Sequence, residues 1–206
     1  MRIIGGEFRS RVLQAPREMA TRPTSDRLRE TLFNVLQTRI AGARFLDLYA
    51  GSGANGLEAL SRGATVAVFV EQAGAALEAI RGNVATLGVA GRARVEGVAV
   101  GRWLGNALRA PESGAVSSIM PAFDVVFLDP PYDDVQEYEA VLEGLGGDGA
   151  RLVAPGGVVV AEHRRERGNP GRESAIKSPM LAQSYGRLSR TRTLEQGDAA
   201  LSFYAL

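Results

Sequence analysis

The spacing of apolar residues divides the chain into a short N-terminal segment and a long alternation of strands and helices. Arg2-Ile3-Ile4-Gly5-Gly6-Glu7-Phe8 predicts a strand, a Gly-Gly turn and a second strand running through Val12-Leu13. A two-stranded hairpin is marginal by itself, so it must lean on another element. Thr21-Arg22-Pro23-Thr24-Ser25-Asp26 then reads as a turn with several capping side chains, and Leu28, Leu32, Val35 and Leu36 fall at helical spacing up to a stop near Gly42. From Arg44 the period alternates. Phe45–Tyr49 is a short strand, Gly51–Gly56 a tight glycine loop, and Leu57 to Arg62 the start of a helix. Val66–Val70 is a second strand closed by Glu71, residues 73–87 an Ala-rich helix, and Ala93–Val98 a weaker third strand. Residues 105–121 read as a Gly/Pro/Ser loop, with a short helix compatible with Gly101–Leu108. Phe123–Leu128 is a fourth, fully apolar strand apart from Asp124, Gln136–Leu145 a helix, and Gly157–Glu162 a fifth strand. Residues 163–180 form a polar loop, and Arg187–Leu194 with Ala199–Tyr204 flank Gly197-Asp198 as a terminal hairpin.

Such alternation implies an α/β fold: a Rossmann-like, mainly parallel doubly wound sheet with its ligand at the carboxyl ends of the strands. An antiparallel hairpin closes it at the C-terminus and a β-hairpin extends it at the N-terminus. The expected division is a basic extension over residues 1–20 and one domain over 21–206. At 206 residues a single sizeable core is available and a second is not. There is no cysteine, which excludes disulfides, thiolate metal sites and cysteine nucleophiles, and the lone His163 removes His-pair metal sites. No stretch reaches the roughly 20 apolar residues of a membrane span, and the first thirty residues hold no signal-like run. The expectation is a cytoplasmic protein that uses no metal and no membrane, with a monomer as the favoured state.

The net charge of +1 conceals an uneven distribution. Residues 1–46 carry nine Arg against four acids, residues 47–160 seven Arg against fourteen, and residues 161–206 eight Lys/Arg against five. Basic ends around an acidic middle suit a polyanion at the periphery and a small cationic ligand at the centre.

Asp129-Pro130-Pro131-Tyr132 carries the most specific chemistry. It follows the buried fourth strand, and two prolines forbid ladder or helix and send the chain out in one stiff direction. A carboxylate, a proline carbonyl and an aromatic ring are thereby placed side by side. A planar base could stack on Tyr132 and donate the two N–H bonds of an exocyclic amine to Asp129 and the Pro130 carbonyl. The glycine loop Gly51-x-Gly53-x-x-Gly56 matches a dinucleotide fingerprint, but the acids around it discriminate. Asp47 ends the first strand where a diphosphate would be repelled, Glu71 ends the second where it can accept ribose hydroxyls, and Asp129 ends the fourth. Three acids at one edge suit a ligand carrying an ammonium and a sulfonium, which is S-adenosylmethionine. Methyl transfer to nitrogen is a direct displacement, in keeping with the absent thiol that pyrimidine C5 methylation requires. Stacking by the ring, not the hydroxyl, is what this reading asks of Tyr132.

The chain resembles the bacterial 16S rRNA guanine-N2 methyltransferases of the RsmD type. The likeness is carried by Met1–Gly6, Arg22–Asn34, Asp47–Gly53, Gly56–Ala64, Phe69-Val70-Glu71, Asp129–Tyr132 and Gly197-Asp198. It implies that S-adenosylmethionine is the methyl donor and a guanine amine of small-subunit rRNA the acceptor, in a ribosomal subunit or an assembly intermediate. By motif, Asp47, Gly51, Gly53 and Glu71 would line the cofactor site, and Asp129, Pro130 and Tyr132, with Pro131 beside them, would hold the base. Arg9, Arg11 and Arg22, with the segment up to Arg29, would meet RNA phosphates. Where the family often has Asp or Asn after the third strand, Val98-Ala99-Val100 offers no polar side chain to the adenine amine. Two other functions share these residues: adenine-N6 methylation of DNA, which uses the same tetrapeptide, and non-catalytic RNA binding in ribosome assembly. An NAD(P)-dependent oxidoreductase rests on the glycine pattern alone.

Overall fold

From Arg44 onward the apolar runs pair into one eight-stranded sheet in the computed structural model, which describes residues 1–16, 26–109, 122–165 and 181–206. In chain order the elements are α1 (Asp26–Val35), α2 (Gln37–Ile40), β1 (Arg44–Leu48), α3 (Ala54–Ser61), β2 (Val66–Glu71), α4 (Gly74–Leu87), β3 (Ala93–Gly97) and α5 (Val100–Arg109). There follow β4 (Phe123–Leu128), α6 (Val135–Gly146), β5 (Val153–Arg164), β6 (Ser184–Tyr185), β7 (Leu188–Gln196) and β8 (Ala199–Ala205). The strand order is β3-β2-β1-β4-β5-β8-β7-β6, parallel from β3 to β5 and antiparallel beyond. The doubly wound α/β sheet with antiparallel C-terminal strands is the one expected from the sequence.

Parallel central strands are buried on both faces, which is why β1, β2 and β4 read as nearly continuous apolar runs. One layer joins Phe45, Phe69, Phe127 and Val160 to α1, α3 and α4 through Leu32, Leu57 and Ile80. The other joins Leu46, Val68, Val126 and Val159 to α5 and α6 through Trp103, Tyr138 and Leu142. The chain reverses direction of growth at β1, where β2 lies on one side and β4 on the other. A crevice at such a switch point is where ligands bind in open α/β sheets.

Four expectations need correction. The N-terminal segment is not a regular hairpin: a single antiparallel bridge joins Arg2 and Val12, with the Ile3 N–H to Arg11 carbonyl bond (2.9 Å) and the Ser10 N–H to Ile3 carbonyl bond (2.9 Å) beside it. Its backbone is bonded instead to α3. Ile4 and Gly5 donate N–H bonds to the Glu58 carboxylate (2.8 Å each), and Glu7 N–H reaches the Ser61 carbonyl (2.7 Å). A Cβ at Gly6 would lie 1.9 Å from that same carbonyl oxygen, so Gly5-Gly6 marks close docking and not a β-turn. The short helix compatible with Gly101–Leu108 forms as α5, so residues 105–109 leave the loop read over 105–121; Trp103 and Leu104 bury its inner face while its two glycines weakened the helical pattern. The fifth strand starts at Val153, before Pro155-Gly156-Gly157, because the register shift between Phe123 and Val125 absorbs those breakers as a bulge. Finally, Arg29 cannot meet phosphate. It is buried against the Arg2 carbonyl (2.6 Å) and Asp26 (2.8 Å), with Glu58 at 3.8 Å.

Candidate active site

Register sets Glu71 and Asp129 level with Tyr49, and Asp47, level with Phe69 and Phe127, two residues further back inside β1. Val70 and Leu128 both stand level with Leu48, so Glu71 and Asp129 leave the sheet on either side of the Tyr49–Gly51 turn. Strands two ladder steps apart set them about 10 Å from each other, enough for a nucleoside-sized ligand between them.

On the cofactor side, the glycine loop is fixed at both ends. The Asp47 carboxylate, buried in β1, accepts the Gly56 N–H at 2.8 Å. Burial, together with the charge of Glu71, pushes its carboxyl up to about 8 against the opposing effect of that bond. Glu71 accepts N–H bonds from Gly51 on one oxygen (2.9 Å) and from Gln72 and Ala73 on the other (2.8 Å each). A carboxylate offers about four lone pairs, so these bonds leave one of them for a ribose hydroxyl, where the sequence alone allowed two. Gly51 and Gly53 hold φ of 55° and 77°, in the left-handed region that L side chains avoid. Gly56 allows α3 to press on the sheet: a Cβ there would lie 2.3 Å from the Phe69 ring. The backbone cradle and the anionic donor set fit a cationic sulfonium nucleoside.

On the other side, β4 ends at Leu128 and Asp129 follows, half-buried, with Pro130 buried, Pro131 exposed and Tyr132 half-buried. Tyr138 of α6 braces the turn from beneath: its hydroxyl lies 2.8 Å from the Glu162 carbonyl and 3.2 Å from that of Pro130. A hydroxyl has one proton, and the shorter contact takes the larger share of it, so the Pro130 carbonyl retains acceptor capacity for an incoming amine. Asp134 accepts the Glu137 N–H at the start of α6 and donates its own N–H to the Pro131 carbonyl (2.9 Å). The Tyr132 hydroxyl donates to the buried Glu162 carboxylate at 2.8 Å, so the hydroxyl is engaged and not incidental.

Several contributors carry no local sequence signal. Tyr49 takes a φ of 60° and donates its hydroxyl to Glu137, tying the glycine loop to α6 behind the Asp129–Tyr132 turn. Burial, and after it that contact, drives its phenol well above the ordinary tyrosine range. Asn83 of α4 accepts the Gln14 N–H (2.8 Å) and donates to the Ser52 carbonyl (3.1 Å), so the N-terminal segment is linked to the glycine loop. Arg9 and Arg11 are exposed on that segment, and Arg22 lies outside the described residues.

Comparison with known proteins gives the family and the fold. The family model described as "Conserved hypothetical protein 95" covers residues 1–191. A Bacillus subtilis protein named "Putative rRNA methyltransferase YlbH" is 37% identical over 166 residues, 81% of this chain and 84% of that protein. "Ribosomal RNA small subunit methyltransferase D" of Escherichia coli K12 is 44% identical over 135 residues, 64% of this chain and 60% of that one. Among solved structures, "Putative methyltransferase yhhF" from Escherichia coli superposes with a TM-score of 0.73 at 32% identity, spanning 99% of this chain and 96% of its own. The sheet is accordingly that of a class I methyltransferase. Matched over residues 1–191 by one family model and 37% identical over 81% of its length to the Bacillus subtilis protein, the chain belongs to the conserved hypothetical protein 95 family, the RsmD family.

Proposed function

We propose that the protein transfers a methyl group from S-adenosylmethionine to the exocyclic N2 amine of a guanine in 16S rRNA, within a small ribosomal subunit or its precursor, in the cytoplasm. The observation that carries this reading is the Asp129-Pro130-Pro131-Tyr132 turn at the end of β4, across the β1 turn from Glu71 at the end of β2. The names of the relatives supply the substrate class. Among the described residues no helix is long and apolar enough to cross a membrane.

S-adenosylmethionine supplies an electrophilic methyl group on a sulfonium. The chain's own residues do the rest. Glu71 and the glycine loop seat the nucleoside, and the Glu71 charge favours the cationic methionine end, whose ammonium draws Asp47 toward its ionised form. An exocyclic amine is a poor nucleophile because its lone pair is delocalised into the ring. Accepting both of its N–H bonds, at Asp129 and the Pro130 carbonyl, favours a pyramidal nitrogen and offsets the positive charge that grows on it. Tyr132 holds the base plane, which must be flipped or single-stranded to reach this depth.

The test is a single-turnover assay with labelled methyl donor on small-subunit particles lacking the modification. The expected product is N2-methylguanine. Asp129→Ala should lose roughly 10²–10³ in rate, the usual cost of one preorganised partner, with cofactor affinity unchanged. Asp129→Asn should fall between the two, since its carbonyl accepts one N–H without the charge. Methyl on adenine or on DNA, or full activity in Asp129→Ala, would overturn the reading.

A further inference from the structure

Glu162 is a buried carboxylate that the proposed chemistry does not use. It stands at the end of β5, where Ala161 is in register with Leu128, so Glu162 is level with Asp129 on the neighbouring strand. Its carboxylate accepts the Tyr132 hydroxyl at 2.8 Å, and its carbonyl accepts the hydroxyl of Tyr138, the residue under Pro130. Arg164, two residues on and hence on the same side of the strand, sets its guanidinium over the Tyr132 ring at 5.9 Å from the centroid. Asp133 pairs with that guanidinium at 3.5 Å. His163, between them, points to the opposite side and bonds to Ser202 (2.9 Å).

The ring of Tyr132 is therefore held at two places by one strand: at its hydroxyl by a fixed anion and on one face by a cation. A tyrosine that served only as an apolar platform would need neither. Carboxylates are seldom fully buried without a partner, and placing one here has a cost that the hydroxyl bond offsets. Holding the hydroxyl fixes the direction of the ring's long axis, and the Arg164 guanidinium over one face leaves the other for a base.

We propose that Glu162 is a positioning residue for the base: through the Tyr132 hydroxyl it orients the ring, so that the guanine stacks on the face opposite Arg164 with its amine directed at Asp129. This rests on the functional reading above. The contribution falls on alignment for the chemical step, because RNA affinity comes mostly from phosphate contacts elsewhere.

The experiment compares Tyr132→Phe, Glu162→Leu, Glu162→Gln and the Tyr132→Phe/Glu162→Leu double variant in single turnover, varying RNA concentration. Melting temperature and calorimetric affinity for S-adenosylmethionine are measured alongside. Tyr132→Phe and Glu162→Leu should each lower the saturating rate roughly tenfold, the effect of one charge-assisted hydrogen bond, while half-saturation by RNA and cofactor affinity hold. The double variant should be no slower than either single one, as expected for two ends of one contact. Glu162→Gln should recover most of the rate, since its amide oxygen still accepts the hydroxyl. A wild-type rate in Tyr132→Phe, additive losses in the double variant, or equal losses in Glu162→Gln and Glu162→Leu would overturn the inference. Should Glu162→Leu fail to fold, Tyr132→Phe and Glu162→Gln decide it. Absence of rRNA methylation by the wild-type protein would overturn the functional reading and this inference together, whereas an active wild type with an unaffected Tyr132→Phe overturns the inference alone.

Discussion

Asp47 shows how a single residue serves the site at the expense of the empty fold. Its carboxyl rises from the usual 3.8 to about 8, chiefly through burial and further through Glu71. Between those two values the folded chain holds a proton that the unfolded chain has released, so stability falls as pH rises from about 4 to about 8. What the neutral carboxyl contributes is fully present below the lower value and lost above the upper one. Asp47→Asn keeps an acceptor for the Gly56 N–H and cannot ionise. Its urea midpoint should therefore change less than that of the wild type between pH 5 and pH 8, and parallel profiles would exclude Asp47 as the source. A ligand ammonium nearby would favour the ionised form and reverse part of this loss on binding. At this scale the acids themselves were legible, because each is set off by an apolar strand run, Glu71 and Asp129 at its end and Asp47 one residue short of it. Glu162, Tyr138 and Asn83 were not, since their partners stand 30, 24 and 31 residues away and nothing local records the contact.

Elements follow the same division. The central strands and α4 were readable because both-face burial and helical spacing leave strong periods. The N-terminal segment was not, because its geometry is dictated by a helix 50 residues downstream. Glu58 is the hinge of that arrangement. Fully buried in α3, it accepts the N–H groups of Ile4 and Gly5, pairs with Arg62 at 2.7 Å and lies 3.8 Å from buried Arg29. Among the described residues Arg29 Nε and Nη1 have no hydrogen-bond partner, so their charge depends on this nearby anion. Removing one member of a buried pair leaves the other uncompensated and typically costs 3–5 kcal/mol, about half of the stability of many domains. Glu58→Ala should approach that loss in chemical denaturation, and amide exchange at Ile4 and Gly5 should accelerate before the rest of the chain opens. A loss below about 1 kcal/mol would mean that the cluster closes around the gap.

On the scale of the whole molecule, the parallel sheet and its switch point were legible because the alternation of periods admits few topologies. The path of the N-terminal segment was not, and it changes the charge argument. Eight arginines precede β1, yet they are not equivalent. Arg29 is enclosed between Asp26, Glu58 and the Arg2 carbonyl, whereas Arg9 and Arg11 are exposed on the segment that runs along α3 and returns to the glycine loop through Gln14 and Asn83. Only exposed guanidinium groups can replace counterions condensed on RNA. Each phosphate contact contributes about 0.7 to 0.9 to the slope of log affinity against log salt. Arg9→Gln with Arg11→Gln should therefore reduce that slope by nearly two units, weaken binding to all RNA sequences alike, and leave calorimetric affinity for S-adenosylmethionine unchanged. Arg29→Gln provides the contrast: it should lower the melting temperature and leave the salt slope where it was. A slope that ignores the double variant, or one that responds to Arg29 alone, would place the RNA path on a different face from the one that the N-terminal segment covers.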